Sequence, residues 1–188
     1  MNKIALITGA TAGIGEATAV LLAQNKYNLI LTGRRKERLD LIKEKITKQT
    51  SSKVTLLQFD IRSSKETKNA INSLPKPWLN IDVLINNAGL AAGFSTIQEG
   101  TIDDWERMID TNIKGLLYIT RLISPIMIKN GTGHIVNLSS IAGKETYPLG
   151  NVYCATKHAV QSVTKGMRID LLKHGIKVSS VSPGAVNT

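Results

Sequence analysis

Six short runs of almost unbroken apolar residues punctuate this 188-residue chain. They lie at residues 3–8, 28–32, 53–59, 81–86, 133–138 and 177–181 and are rich in Ile, Val and Leu. A strand with one wet face alternates apolar and polar residues. A run that is apolar at every step has both faces covered, as a parallel strand does inside a sheet. Longer amphipathic stretches separate the runs, at 14–25, 36–48, 65–73, 101–129 and 152–174, and these read as helices. Strand and helix in alternation predict an α/β fold with a doubly wound parallel sheet. The length predicts one domain over residues 1–188. "LPKPW", residues 74–78, reads as a loop.

The first strand-to-helix turn carries three glycines, in "LITGATAGIGEATA". Gly9 suits the tight turn. Gly13 has no side chain to keep a pyrophosphate off the backbone. Gly15 lets the helix pack closely on the strand. Free N–H groups and the positive end of the helix dipole favour phosphate oxygens at such a place. The turn therefore predicts a dinucleotide site in a Rossmann-like sheet.

Net charge is +10, which raises nucleic acid as a partner. "RRKERLDLIKEKITK" shows why it is not expected: acids alternate with the bases and no aromatic side chain is present to stack a base. These charges read as solvated helix faces. No apolar run approaches the roughly 18 residues that span a membrane, so no membrane partner is expected. The single cysteine, Cys154, precludes an internal disulfide and fits a reducing compartment, so a cytoplasmic location is expected. It reads as a packing residue. His134, His158 and His174 have no metal-ligand spacing and read as structural, and no metal is expected.

"TGATAGIG" at 8–15 matches the T-G-x-x-x-G-x-G pattern of the short-chain dehydrogenase/reductase family. "NNAG" at 86–89, "SS" at 139–140 leading to "YCATK" at 153–157, and "SPGAVNT" at 182–188 follow in the family's order. The chain resembles that family along its whole length. "TGRRKERL", "GLAAG", "DTNIKGLLY" and "GNVYCATK" resemble its NADP-dependent 3-hydroxy acid (serine-type) dehydrogenase branch. The resemblance implies cofactor contacts at Gly9, Thr11, Ala12, Gly13, Ile14 and Gly15. It implies further ones at Asp60 and Ile61 beside the adenine, at Asn87, Ala88 and Gly89 beside the adenosine ribose, at Tyr153 and Lys157, and at Pro183, Gly184, Val186 and Thr188. It also implies a homotetramer joined through helices 101–129 and 152–174. Relatives continue for several dozen residues past the "PG" motif, supplying a substrate lid and a last strand. This chain stops at Thr188, so the C-terminal substrate segment is expected to be missing: the chain is a fragment, or that segment exists beyond this sequence. The edge strand at 177–181 is left unexplained.

An NAD site places an acid about 20 residues beyond the glycines. Here the second strand ends in Gly33-Arg34-Arg35, and the first acid afterwards is Glu37. Guanidinium groups can grip a 2′-phosphate in bidentate fashion, so NADP(H) is the expected cofactor. The same arginines can also cap the next helix, and the two roles coexist.

Tyr153 and Lys157 are four residues apart on a helix and share a face. A free phenol titrates near pH 10, too high for easy proton exchange at neutral pH, and a neighbouring ammonium favours the phenolate. Such a tyrosine can act as general acid or base toward a carbonyl or alcohol oxygen. Ser140, thirteen residues earlier at a strand end, can donate to the same oxygen. Ser139 competes, but the spacing favours Ser140. The resemblance carries these roles onto Ser140, Tyr153 and Lys157, and adds Asn112, holding a water beside Lys157. Cys154, next to Tyr153, points about 100° away from it. The leading reading is an NADP(H)-dependent oxidoreductase acting on a small-molecule alcohol or ketone, a 3-hydroxy acid by resemblance. A 3-oxoacyl thioester or other ketone reductase keeps the same mechanism. A non-catalytic NADP-binding scaffold would leave Ser140, Tyr153 and Lys157 without a role.

Overall fold

The computed structural model describes residues 2–186. Six parallel strands form one sheet: β1 (Ile4–Ile7), β2 (Asn28–Gly33), β3 (Val54–Gln58), β4 (Ile81–Asn86), β5 (Gly133–Leu138) and β6 (Ile176–Val181). Their order is β3-β2-β1-β4-β5-β6. Leu6 pairs with Ile30 on one side and Leu84 on the other, and Ile135 joins Leu84 to Val178. The helices are α1 (Gly13–Gln24), α2 (Lys36–Gln49), α3 (Ser64–Asn72), α4 (Ile102–Ile109), α5 (Leu116–Asn130) and α6 (Asn151–Leu172).

β1 shows why the apolar runs are unbroken. Ile4 and Leu6 join one core with Ile71 of α3, Ile119, Ile123 and Met127 of α5, and Leu171 of α6. Ala5 and Ile7 point the other way, toward Ala19 and Ala23 of α1 and Leu39, Ile42 and Ile46 of α2. Every side chain of β1 is buried. On the second face Val136 and Leu138 of β5 are only partly covered. β6 is the sheet edge foreseen at 177–181. The charged side of α2 carries the spaced pairs Lys36–Asp40 (2.5 Å) and Lys48–Glu44 (2.6 Å), as a solvated face should.

Most boundaries fall within a residue of the sequence reading, and two elements differ in kind. Residues 74–78 contain a 3₁₀ turn at Lys76–Trp78, which Pro77 can occupy because its missing N–H falls in a first turn. The helix expected over 101–129 is interrupted by a π-helical turn, Asp110–Gly115. That turn places an extra residue in the coil, as π turns commonly do at functional sites. Periodicity could not show it, because the apolar spacing resumes in α5.

The order of the strands creates the site. From β1 the chain moves outward through β2 and β3, then returns to the other side of β1 with β4. The connections leaving β1 and β4 therefore run in opposite directions, and a crevice opens beyond the carboxyl ends of these strands.

Candidate active site

The glycine turn spans Thr8 to Gly15 at the end of β1. Thr8 Oγ1 donates to the Ile85 carbonyl (3.3 Å) and accepts from the backbone N–H groups of Asn87 and Ala88 (3.0 Å each). Asn87 Nδ2 donates to the carbonyls of Thr8 (2.9 Å) and Gly9 (3.0 Å). The β4 loop thus holds the turn from the side. Gly9 lies at φ +64°, and a Cβ there would meet Ala88 Cα at 2.8 Å. Gly13 has φ +56°. A Cβ on Gly15 would land on the Gly9 carbonyl oxygen.

Two helices start with a side-chain cap: Ser63 accepts from Glu66 N at α3, and Thr101 accepts from Asp104 N at α4, whereas α1, α2 and α6 start without one. At α1 the cap position is Ala12, which has no side-chain acceptor. The first N–H groups of α1 are therefore left for an external anion. Across the turn, Arg35 Nη2 donates to Thr11 Oγ1 (2.9 Å), while the Arg34 side chain is 63% exposed. The turn, the free amides and the two guanidinium groups fit a phosphorylated dinucleotide.

These parts line a cavity of about 850 Å³ that runs to Ser140, Tyr153 and Lys157. Of the site residues expected from sequence, all the described ones border it except Gly15 and Asn112. Thr188 lies outside the described residues. Gly15 acts beneath the turn, against Gly9.

At the far end, Lys157 Nζ sits 5.8 Å from the Tyr153 ring centroid and donates to the Leu138 carbonyl (3.0 Å). Lys157 is 6% exposed, and burial pushes its ammonium down to about 8. No carboxylate pairs with it among the described residues. The two serines differ in their hydrogen bonds. Ser139 is buried and its hydroxyl is spent on the Lys157 carbonyl (3.2 Å). Ser140 Oγ accepts from Ala142 N (3.1 Å), which leaves its proton free to be given.

Asn112 lies near Lys157, both facing Gly89. Its side chain is buried in the π turn rather than facing the cavity. Nδ2 donates to the Leu90 carbonyl (2.9 Å) and Thr156 Oγ1 (3.0 Å), and Oδ1 accepts from Leu90 N (2.9 Å). Both amide protons are spent, so only Oδ1 keeps a free acceptor position. Thr156 Oγ1 in turn donates to the Tyr153 carbonyl (2.7 Å). Asn112 therefore ties the loop after β4 to the turn of α6 that carries Tyr153.

Behind the catalytic end the sheet is braced by a buried amide ladder. Asn86 Nδ2 donates to Thr120 Oγ1 (2.9 Å) and Asn137 Oδ1 (2.8 Å), and Asn137 Nδ2 donates to Thr164 Oγ1 (2.9 Å). Cys154 is buried as a packing residue. His134 pairs with Ser179 Oγ and His158 with the Cys154 carbonyl, both at 2.9 Å. No cluster of three metal-ligating side chains occurs among the described residues. None of the described helices is long and apolar enough to cross a membrane.

Sequence reasoning missed the walls of the substrate end: Leu90, Phe94, Ile141 and Tyr147. One signal was available, Gly150 beside Tyr153. A Cβ on Gly150 would fall within the Tyr147 ring, so this glycine makes room for the aromatic wall. Burial pushes the Tyr147 phenol up, aided by the neighbouring Cys154 and Tyr153.

Comparison with known proteins agrees with this geometry. The sequence model of the short chain dehydrogenase family matches residues 3–188. The chain is 43% identical over 183 residues to the NADP-dependent 3-hydroxy acid dehydrogenase YdfG of Salmonella typhi, covering 97% of this chain and 72% of that protein. It is 47% identical over 180 residues to a probable NADP-dependent dehydrogenase of Haemophilus influenzae, covering 96% and 70%. The solved closed form of serine dehydrogenase complexed with NADP+ superposes with a TM-score of 0.92 at 42% identity, over 98% of this chain and 73% of that one.

Proposed function

This chain belongs to the short chain dehydrogenase family, and from that premise we propose an NADP(H)-dependent oxidoreductase acting on the carbonyl or alcohol carbon of a small 3-hydroxy acid. When bound, the nicotinamide supplies or takes up the hydride. The glycine turn and the α1 amides hold the pyrophosphate, and Arg34 and Arg35 hold the 2′-phosphate. Tyr153 gives its proton to the substrate oxygen in reduction and takes it back in oxidation. Lys157, one turn along the same helix, presents a buried ammonium to that phenol. Ser140 donates its free proton to the same oxygen, where charge develops. Asn112 positions Tyr153 through Thr156.

The observation that carries this reading is the single cavity with uncapped amides and two arginines at one end and Ser140, Tyr153 and Lys157 at the other. The 3-hydroxy acid as substrate rests on the relatives' names. A 3-oxoacyl thioester or another ketone uses the same groups. The decisive assay follows NADPH absorbance over a panel of 3-hydroxy acids, serine included, with ketones and thioesters alongside. NADP+ reduction is expected with 3-hydroxy acids and not with equal NAD+. Tight NADPH binding with no turnover on any alcohol or ketone would move the reading to a non-catalytic scaffold.

Two further parts of the reading rest on less. Exposed Ile109 and Leu117 beside the π turn, with Ile169 and Leu172 on α6, support a homotetramer joined through these helices. Light scattering would measure its mass. One buried cysteine supports a reducing, cytoplasmic setting.

A further inference from the structure

We propose that Arg62, a residue outside the cavity, sets the preference for a 2′-phosphorylated dinucleotide by keeping the Asp60 carboxylate occupied and away from Arg34. The inference rests on the NADP(H) reading and assigns a positioning residue to it.

Asp60 borders the nucleotide end of the cavity between two guanidinium groups. Arg62 binds it closely. Nη2 donates to Oδ2 (2.6 Å), Nε to Oδ2 (3.0 Å) and Oδ1 (3.1 Å), and the Arg62 backbone N–H to Oδ1 (3.0 Å). Arg62 meets the carboxylate with three N–H groups, the Nε–H shared between the two oxygens, so both oxygens are engaged. Arg34 is left at the limit of an ion pair, with Nη1 3.9 Å from Oδ2. Burial pushes the Asp60 carboxyl up, yet the hydrogen bonds and charge of Arg62, with a smaller push from Arg34, leave it below the ordinary value.

The Arg34 backbone is tied, its carbonyl accepting from Gln58 Nε2 (3.2 Å), but its side chain is the more exposed partner and free to turn. A guanidinium fork grips one oxyanion in bidentate fashion at a time. An unpaired Asp60 would therefore compete with a 2′-phosphate for Arg34. With Asp60 held by Arg62, the competition is removed and Arg34 is left for the ligand. Arg62 itself is favoured as a cation by Asp60 first, and further by Asp110 and Asp103. Removing its guanidinium leaves the loop anchored, because Asp60 N donates to Glu66 Oε2 (2.9 Å) and Ser63 N to the Asp60 carbonyl (3.0 Å).

The test is binding alone, by calorimetry on the whole protein, with adenosine 2′,5′-bisphosphate and 5′-AMP as probes. Arg62→Gln is expected to weaken the bisphosphate about tenfold, the worth of one charge-assisted hydrogen bond, and AMP by less than about twofold. Asp60→Asn in the Arg62→Gln background should restore the bisphosphate preference, because the competing charge is gone. Arg62→Lys should fall between wild type and Arg62→Gln, and it carries the test if Arg62→Gln does not fold. Equal weakening of both probes, an unchanged preference, or no rescue by Asp60→Asn would overturn the proposal. A wild-type protein that binds the bisphosphate no better than AMP would instead overturn the NADP(H) reading beneath it.

Discussion

The two ends of the cavity are built from different material. At the nucleotide end the backbone does most of the work: positive-φ glycines, uncapped amides, and carbonyls held by Asn87. Its charged side chains stay partly in water, with Arg34 more than half exposed. At the catalytic end the working and supporting groups are side chains, and most are buried: Asn112, Thr156 and Lys157 beside Tyr153, with Asn86 and Asn137 behind them. The difference teaches where each end is fragile. A surface charge can be lost from the first end at modest cost, but an added methyl at the wrong glycine cannot be absorbed. The second end holds an uncompensated buried cation, which folding must carry.

The largest effect expected is at the catalytic end. Tyr153→Phe keeps the ring and removes only the hydroxyl, so turnover should fall roughly 10²-fold or more, the usual worth of a positioned proton transfer. NADPH affinity, set at the other end, should barely change. Paired steady-state and fluorescence titrations check this, and unchanged turnover would end the proposed role of Tyr153.

The cost of the buried cation is the next measure. Lys157 is lowered from 10.5 to about 8 by burial. Below about pH 8 both folded and unfolded chains hold the proton, and the folded state bears the full penalty. Between about 8 and 10.5 the folded state releases it first, so stability rises with pH and then levels. Chemical denaturation without cofactor should show wild type gaining about 2–3 kcal/mol on Lys157→Met across that window. A constant difference would mean that the ammonium remains hydrated.

Gly15→Ala tests the backbone end. The new methyl meets the Gly9 carbonyl, which the Asn87 amide also holds, so neither can yield freely. A loss of about 1–3 kcal/mol of stability is expected for such overpacking, with weakened binding of both NADPH and NADH. Wild-type melting and binding would show that the turn is soft. The smallest effect belongs to the exposed charges. Arg34→Ala with Arg35→Ala should weaken NADPH about tenfold and leave NADH nearly unchanged. Equal loss for both cofactors would remove the arginines from 2′-phosphate recognition.

What could be read from the chain differs between the two ends for the same reason. Glycine spacing and a strand-to-helix transition are local, so the nucleotide turn is visible within fifteen residues. Tyr153 and Lys157 are likewise visible, because a helix brings residues four apart together whatever surrounds it. Asn112 was found by resemblance, but the partners of its amide were not, since Leu90 and Thr156 are 22 and 44 residues away.

The sequence by itself determined the parallel sheet, the first turn and the pairing of Tyr153 with Lys157. Each follows from periodicity or from short-range backbone geometry, which the chain carries wherever it is placed. Only the tertiary structure decided which serine keeps a free proton, since Ser139 and Ser140 differ in their partners and not in their chemistry. It also decided the π turn under Asn112, the hold of Arg62 on Asp60, and the pairing of Gly150 with the Tyr147 wall. These depend on which groups meet once the sheet has brought β4, β5 and α6 together, and on which of them remain unpaired when water is gone.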